Sequence, residues 1–474
     1  MGSDGVPAAN PAPGEVVDGL AAPARLRAML AIIVGLATAV LQGGIVNLAL
    51  PEIGSKLGAS PAVSIWIINA FQLGTLVMLL PLAAFGDRAG YRRVYLAGVV
   101  LFTLASLMAM LARSIDLLIA ARALQGLGAA GMLSVNSALV RQIYPVALLG
   151  RGMAILSMVV ASSAVAGPTV AALILSIGEW PWLFAVNVPL GLLALVLAAR
   201  ALPRERARSE QPAGRFALPD LLMNVLMFTL VFVGAQNLGV QGGAGHPAHA
   251  SGWWLLAGGL AIGVLYLRRQ LRAPEPMFPV DLLRIRLFAL SMCSSISAFC
   301  AQAIAFVALP FLLLEGLGHS HLGAGLLITA WPLGVVVAAP WAGRLIGRVP
   351  AGLLGGVGMV VMAIGLACLA LLPAQPDAVD IVWRLLLCGF GFGLFQSPNN
   401  HTIMTSAPRP RSGAASGMLG TARITGQTLG AVVLAVLFAS VGDGGRAEPV
   451  AIAVAAGFAL LAAVFSTLRV REQN

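Results

Sequence analysis

Charge is what this sequence lacks most. Only 10% of its 474 residues are charged, whereas a soluble domain carries roughly a quarter. A single lysine, Lys56, stands against 28 arginines. With 59% hydrophobic residues and a mean hydropathy of +0.92, the composition excludes water as the main solvent of the chain. The 18 acids fall in tails, loops and the ends of apolar stretches, so no stretch carries a carboxylate near its middle. The four cysteines, Cys293, Cys300, Cys368 and Cys388, lie in apolar runs without a CxxC or metal-ligand spacing and read as packing residues. There is no phosphate loop of the GxxxxGK[ST] type, no Ser/His/Asp constellation and no pair of acids inside an apolar stretch. Enzyme chemistry, ATP hydrolysis, a bound metal and any other cofactor are therefore not expected. His246 and His249, like His319 and His321, read as solvated loop residues. A cleavable leader is not expected, because the first apolar run is already of full spanning length.

What is present is a series of apolar stretches, each close to the ~20 residues that cross ~30 Å of hydrocarbon. Read by hydropathy and by Pro, Gly and charge punctuation, they fall near 28–50, 62–84, 93–112, 116–140, 152–176 and 181–199, then 217–239 and 252–268, and finally 287–314, 322–342, 350–373, 379–404, 413–440 and 449–468. The expected architecture is an all-α integral membrane protein of fourteen transmembrane helices, two six-helix bundles with two inserted helices. Its parts are a disordered tail over 1–24, an N-terminal bundle over 25–200, a linker with the extra helices over 201–286, a C-terminal bundle over 287–468 and a short tail over 469–474.

Arginine placement tests that count. With both termini in the cytoplasm, 23 of the 29 basic residues fall in inner segments, as the positive-inside rule requires. The net charge of +11 is then a property of membrane topology, not of nucleic-acid binding, for which basic residues would cluster on one face. Three arginines fall within spans. Arg122 opens span four before Gly126 and Gly128, and Arg384 opens span twelve before Gly389 and Gly391, a faint echo between the two sets of six. Parallel halves around a midplane site are a common transporter plan. The third is Arg423, in span thirteen.

Several motifs suggest a mechanism. The loop after span two reads Gly86-Asp87-Arg88-Ala89-Gly90-Tyr91-Arg92-Arg93; its carboxylate at a helix end can pair with arginine or sit against a neighbouring helix N-terminus, although a plain positive-inside turn would look much the same. Arg122 is a guanidinium inside the membrane, which by default faces water or a partner and is functional, and Gln125 shares its helix face. In span five, Gly167-Pro168 bends the helix, a weak signal for a hinge.

Together, GDRAGYRR, AARALQGLGAAG, VAGPTVAA and EWPWLFAVNVPLG, in this order, resemble the signature segments of the major facilitator superfamily, and with fourteen spans the chain is similar to its drug:proton antiporters. The resemblance covers about 28–468. It implies secondary transport of lipophilic cations or other drugs, with Gly86, Asp87, Arg88, Gly90 and Arg92 as the gating loop, Arg122 linked to proton coupling, and Gly167 and Pro168 as the antiporter segment. Two departures stand out. Gln42 occupies the place where the family usually has an aspartate, and Ala171 and Ala172 replace a closing glycine pair.

An amide does not titrate, so Gln42 weakens the expectation of proton coupling and leaves open a gradient-independent facilitator or metabolite exporter, or a receptor without transport. Other titrating candidates are Glu315, Asp220, Asp87 and His401, each as readily structural. The expected cavity is lined by Gln42, Asn69, Gln72, Gln125, Gln396 and Arg423, with Trp66, Phe71, Phe306 and Trp331 as aromatic walls, which suits a neutral, amphipathic or anionic solute at least as well as a cation. The partners expected are a small-molecule substrate, a proton as possible coupling ion and the lipid bilayer, with the chain acting as a monomer. The arginine-rich, Ala- and Gly-rich usage points to the inner membrane of a high-GC bacterium.

Overall fold

The structure, a computed structural model, describes residues 19–46, 49–59, 61–64, 66–203, 218–239, 247–273, 276, 278–313, 317–318, 321–373, 375–441 and 447–470. It is helical almost throughout. The long helices are α1 (Ala22–Ile45), α2 (Trp66–Ala89), α3 (Tyr91–Met110), α4 (Ile115–Leu133), α5 (Leu149–Ile177), α6 (Asn187–Ala201), α7 (Leu218–Gly239), α8 (Pro247–Gln270), α9 (Arg286–Phe311), α10 (Ala330–Leu345), α11 (Ala351–Ala370), α12 (Ala378–Ser406), α13 (Ser412–Val441) and α14 (Ala447–Leu468). Among the described residues, twelve helical segments are long and apolar enough to cross a membrane. Helices α8 and α13 are not in that set, so by this measure the expected fourteen is not reached.

Local chemistry explains two of the boundaries. Gly90, at φ 105°, makes the one-residue break between α2 and α3, a backbone state that costs glycine little. Ser114 caps α4 by accepting a hydrogen bond from the Leu117 N–H at 3.3 Å. Three boundaries differ from expectation. Helix α1 starts at Ala22, so Arg25 and Arg27 lie within it, and it ends at Ile45; Pro51 sits in the first turn of the separate short helix Leu50–Lys56, where a missing N–H is harmless. The tenth span is divided at Thr329 into His321–Ile328 and α10. Arg469, read as the start of a tail, is fully buried.

The helices pack as two bundles, α1–α6 and α9–α14, joined along two seams, α2 on α13 and α5 on α10. Apolar helices in lipid gain little from the hydrophobic effect on associating, so close approach of small residues matters instead. On α13, Gly413, Gly417 and Gly420 all abut α2: a Cβ added at Gly417 would stand 2.6 Å from the Ala83 Cβ. Helices α7 and α8 pair with each other, and α7 leans on α2 and α13, held by a hydrogen bond from Asn224 Nδ2 to the Val77 carbonyl at 2.9 Å. The inserted pair thus leans on one seam. Large side chains such as Leu104, Leu173 and Trp254 point outward and exposed, as a lipid-facing surface requires.

Candidate functional site

Between the bundles lies a cavity of about 580 Å³, within the range that holds a drug-sized molecule. It is lined by α1 (Ala39, Val40, Gly43), α2 (Phe71, Gln72, Thr75), α5 (Val160, Ala161), α9 (Phe299, Gln302, Phe306), α10 with the short helix before it (Thr329, Trp331, Val335), α12 (Phe392, Gln396) and α13 (Arg423, Gln427). Two aromatic pairs form much of the C-terminal wall: Phe299 meets Phe392 edge-on at 5.4 Å, and Phe306 meets Trp331 at 5.1 Å. Among the described residues, Arg423 is the one charged side chain of the lining, and no acid lines it. Glu315, a titrating candidate, lies outside the described residues.

At the end of the bundles that carries Arg88, Arg92 and Arg93, the halves are held together. The Asp87 carboxylate accepts from the Gly413 N–H at 2.7 Å and the Ala414 N–H at 2.9 Å, capping the first turn of α13 across the seam, where an anion is favoured by the helix dipole and the orphan N–H groups. Tyr91 steadies it: its hydroxyl donates to Asp87 at 2.7 Å and accepts from the Gly413 N–H at 3.1 Å. A second tie runs from Arg141 to the Ala407 carbonyl at 2.9 Å and to Ser412 Oγ at 3.1 Å. Beside them, Arg411 grips Asp281 with two parallel bonds of 2.9 and 2.7 Å, fixing the end of the linker to the start of α13. Arg92 donates to the Ala199 carbonyl at 2.8 Å, closing the C-terminus of α6 within its own bundle. At the opposite end, Lys56 pairs with Glu52 and Glu179 of the same half at 3.0 and 3.4 Å, and the hydrogen bond to Glu52 raises the lysine above its ordinary range.

Arg122 lies fully buried behind the cavity wall. Its Nε donates to the Ile67 carbonyl at 2.9 Å, its Nη1 to Gln125 at 2.6 Å, and Gln125 passes the chain on to Ser106 at 2.7 Å. The guanidinium stacks on Phe71, 4.4 Å from the ring centre, and Phe71 itself lines the cavity. No carboxylate meets it, and its Nη2 has no partner among the described residues. Gln42 accepts from Asn187 at 2.7 Å, so the amide that replaces the expected acid is tied to α6.

The expected site residues thus divide. Gln72, Phe306, Trp331, Gln396 and Arg423 come together in the cavity, as does Phe71, while Gln42, Asn69 and Gln125 do not line it. Arg384 is also elsewhere, bonded to Asp380 at 2.5 Å one turn away at the start of α12. Helix α5 runs unbroken through Gly167 and Pro168, and a Cβ placed at Gly167 meets nothing within 4 Å among the described residues. Residues the sequence reading missed are Gln302, Gln427, Thr75 and Thr329 in the cavity, and a buried knot in the C-terminal bundle where Arg469 donates to Asn399 at 2.5 Å and Ser291 at 3.1 Å. Gln427, one helical turn after Arg423, carried a readable signal; Arg469 did not, because it follows the last apolar run.

The model of the Major Facilitator Superfamily matches residues 32–431. The chain belongs to that superfamily. It is 50% identical over 459 residues to the uncharacterised transporter YebQ of Escherichia coli (strain K12), covering 96% of this chain and 98% of that one. It is 32% identical to the tetracenomycin C resistance and export protein of Streptomyces glaucescens, over 88% of this chain and 76% of that one. The crystal structure of the human organic anion transporter MFSD10 (TETRAN) shares the fold, with a TM-score of 0.66, 14% identity and coverage of 93% of this chain and 99% of that one. This superfamily member is therefore a multi-pass membrane transporter.

Proposed function

We propose that the chain is a secondary exporter of small amphipathic or drug-like molecules that works by alternating access. The observation that carries this is a cavity at the seam of two bundles whose arginine-rich end is sealed by polar contacts between the halves, with Asp87 on the N-terminus of α13. In this reading α8 and α13 also cross the bilayer, giving fourteen spans. Both termini and the sealed end then face the cytoplasm of a bacterial inner membrane, and the conformer is open outward. Export relatives such as the tetracenomycin C resistance protein support the direction. A single chain holds the whole cavity, so a monomer suffices, and no step calls for ATP or a cofactor.

Proton antiport is the proposed energy source, with Asp87 as the group at the seal whose protonation would weaken its grip on α13. A gradient-independent facilitator is the second reading. It is favoured by the pairing of Gln42 with Asn187 and by the lack of a described acid in the cavity lining.

The test is accumulation of a broad panel of toxic compounds in cells lacking their own major exporters. Expression of the wild-type chain lowers accumulation of at least one compound, and Arg122→Ala, inserted at equal level, does not. A membrane-inserted wild type that changes no compound overturns the export reading.

A further inference from the structure

Arg423 sits in the wall of the cavity, and no hydrogen bond or ion pair engages it among the described residues. An unpaired guanidinium at membrane depth is costly and is held where an anion can meet it. A second group repeats the message. Trp331 lines the same cavity, is 1% exposed, and its indole N–H has no acceptor among the described residues. Indole and guanidinium are donors only, so both are incomplete until an acceptor arrives. Arg122 adds positive charge from behind Phe71. In a low-dielectric cleft these charges set the sign of what enters.

From this we infer that the cavity binds aromatic organic anions, with Arg423 as the charge partner and the Phe299–Phe392 and Phe306–Trp331 pairs holding the planar body. The inference rests on the transport reading and names its substrate class. A lipophilic cation finds aromatic faces here, but each lies beside a guanidinium or an unpaired donor. A neutral molecule leaves both donors short of a full charge partner. Gln427, one turn from Arg423 on α13, offers an amide with no described partner, which can bond the rest of an acid group.

The experiment uses purified full-length protein in lipid nanodiscs and three probes of one shape: 2-naphthalenesulfonate, 2-naphthalenesulfonamide and a (2-naphthylmethyl)trimethylammonium salt. Equilibrium binding, followed by counterflow in proteoliposomes, should rank the sulfonate at least tenfold tighter than either other probe. Arg423→Gln, checked for an unchanged melting midpoint, should lose that tenfold preference, and Arg423→Lys should restore most of it. If the cation or the sulfonamide binds as tightly as the sulfonate and is moved, the anion assignment falls while the transport reading stands. The assignment also falls if a folded Arg423→Gln keeps the preference. If an intact protein binds and moves none of the three, the anion assignment is overturned, and the cell-accumulation panel then decides the transport reading independently.

Discussion

Asp87 and Gly413 belong to different bundles, yet the carboxylate of one stands 2.7 Å from the backbone nitrogen of the other. The contact is an N-cap supplied from outside the helix it caps. Side-chain caps contribute about 0.5–2 kcal/mol, and a charge on the helix dipole adds about 0.3–1 kcal/mol. Such a contact is strong enough to hold a seam closed and weak enough to open within a transport cycle.

Asp87→Asn removes the charge and one acceptor while keeping the shape. The population open at the arginine-rich end should rise by roughly 5–30-fold, the equivalent of about 1–2 kcal/mol. Double electron–electron resonance between labels at Arg151, in the first turn of α5, and Arg348, just after α10, in a background without the four cysteines, reads this as growth of the longer distance. An unchanged distribution would remove Asp87 from the gate.

Gly417→Leu attacks the same seam sterically. With an added Cβ only 2.6 Å from that of Ala83, α2 and α13 cannot keep their approach, and overpacking of this kind costs about 1–3 kcal/mol. The same spectroscopic pair should again shift to the longer distance, and flux should fall. Normal flux with the wild-type distance distribution would show that the close approach is dispensable.

Arg122→Ala leaves the buried Gln125 Oε1 without its partner and takes the side-chain bond from the Ile67 carbonyl. A stranded buried group costs about 1–3 kcal/mol, so the thermal midpoint should drop along with transport. Arg122→Lys keeps the charge but not the fork; it should recover stability in part while leaving transport well below wild type. If Arg122→Lys transported at the wild-type rate, charge alone would be the requirement and the fixed geometry would not.

Gln42→Asp places a titrating group beside Asn187. Flux measured at equal and at unequal pH across the membrane should become more dependent on the gradient than in wild type. No change would mean that position 42 lies outside the coupling path.

Much of the fold is legible in the residues, because hydropathy and arginine placement report where a chain meets lipid. The seam contact of Asp87 is legible for a similar reason: an acid between two glycines at the end of a span has few ways to be satisfied. The cavity is legible only in part. Gln72, Gln396, Phe306, Trp331 and Arg423 lie on spans that face the seam, but which face of a nearly all-apolar helix turns inward is barely encoded by hydrophobicity. Gln42 and Gln125 therefore looked equivalent to Gln72 in the sequence, and the structure turns them into helix–helix contacts instead. Arg384 misled for another reason: the repeat suggested a twin of Arg122, whereas Asp380, one turn earlier, neutralises it at the helix start. Arg469 has the sequence signature of a tail because charge follows the last apolar run, and only packing against Asn399 and Ser291 shows it to be interior.

The most direct test of alternating-access transport is flux in proteoliposomes of the purified chain, run with and without an imposed pH gradient. Saturable flux above protein-free vesicles, lost in Arg122→Ala and enhanced by the gradient, is the result predicted. Flux no greater than that of empty vesicles, for every compound that lowered its accumulation in cells, would contradict the account.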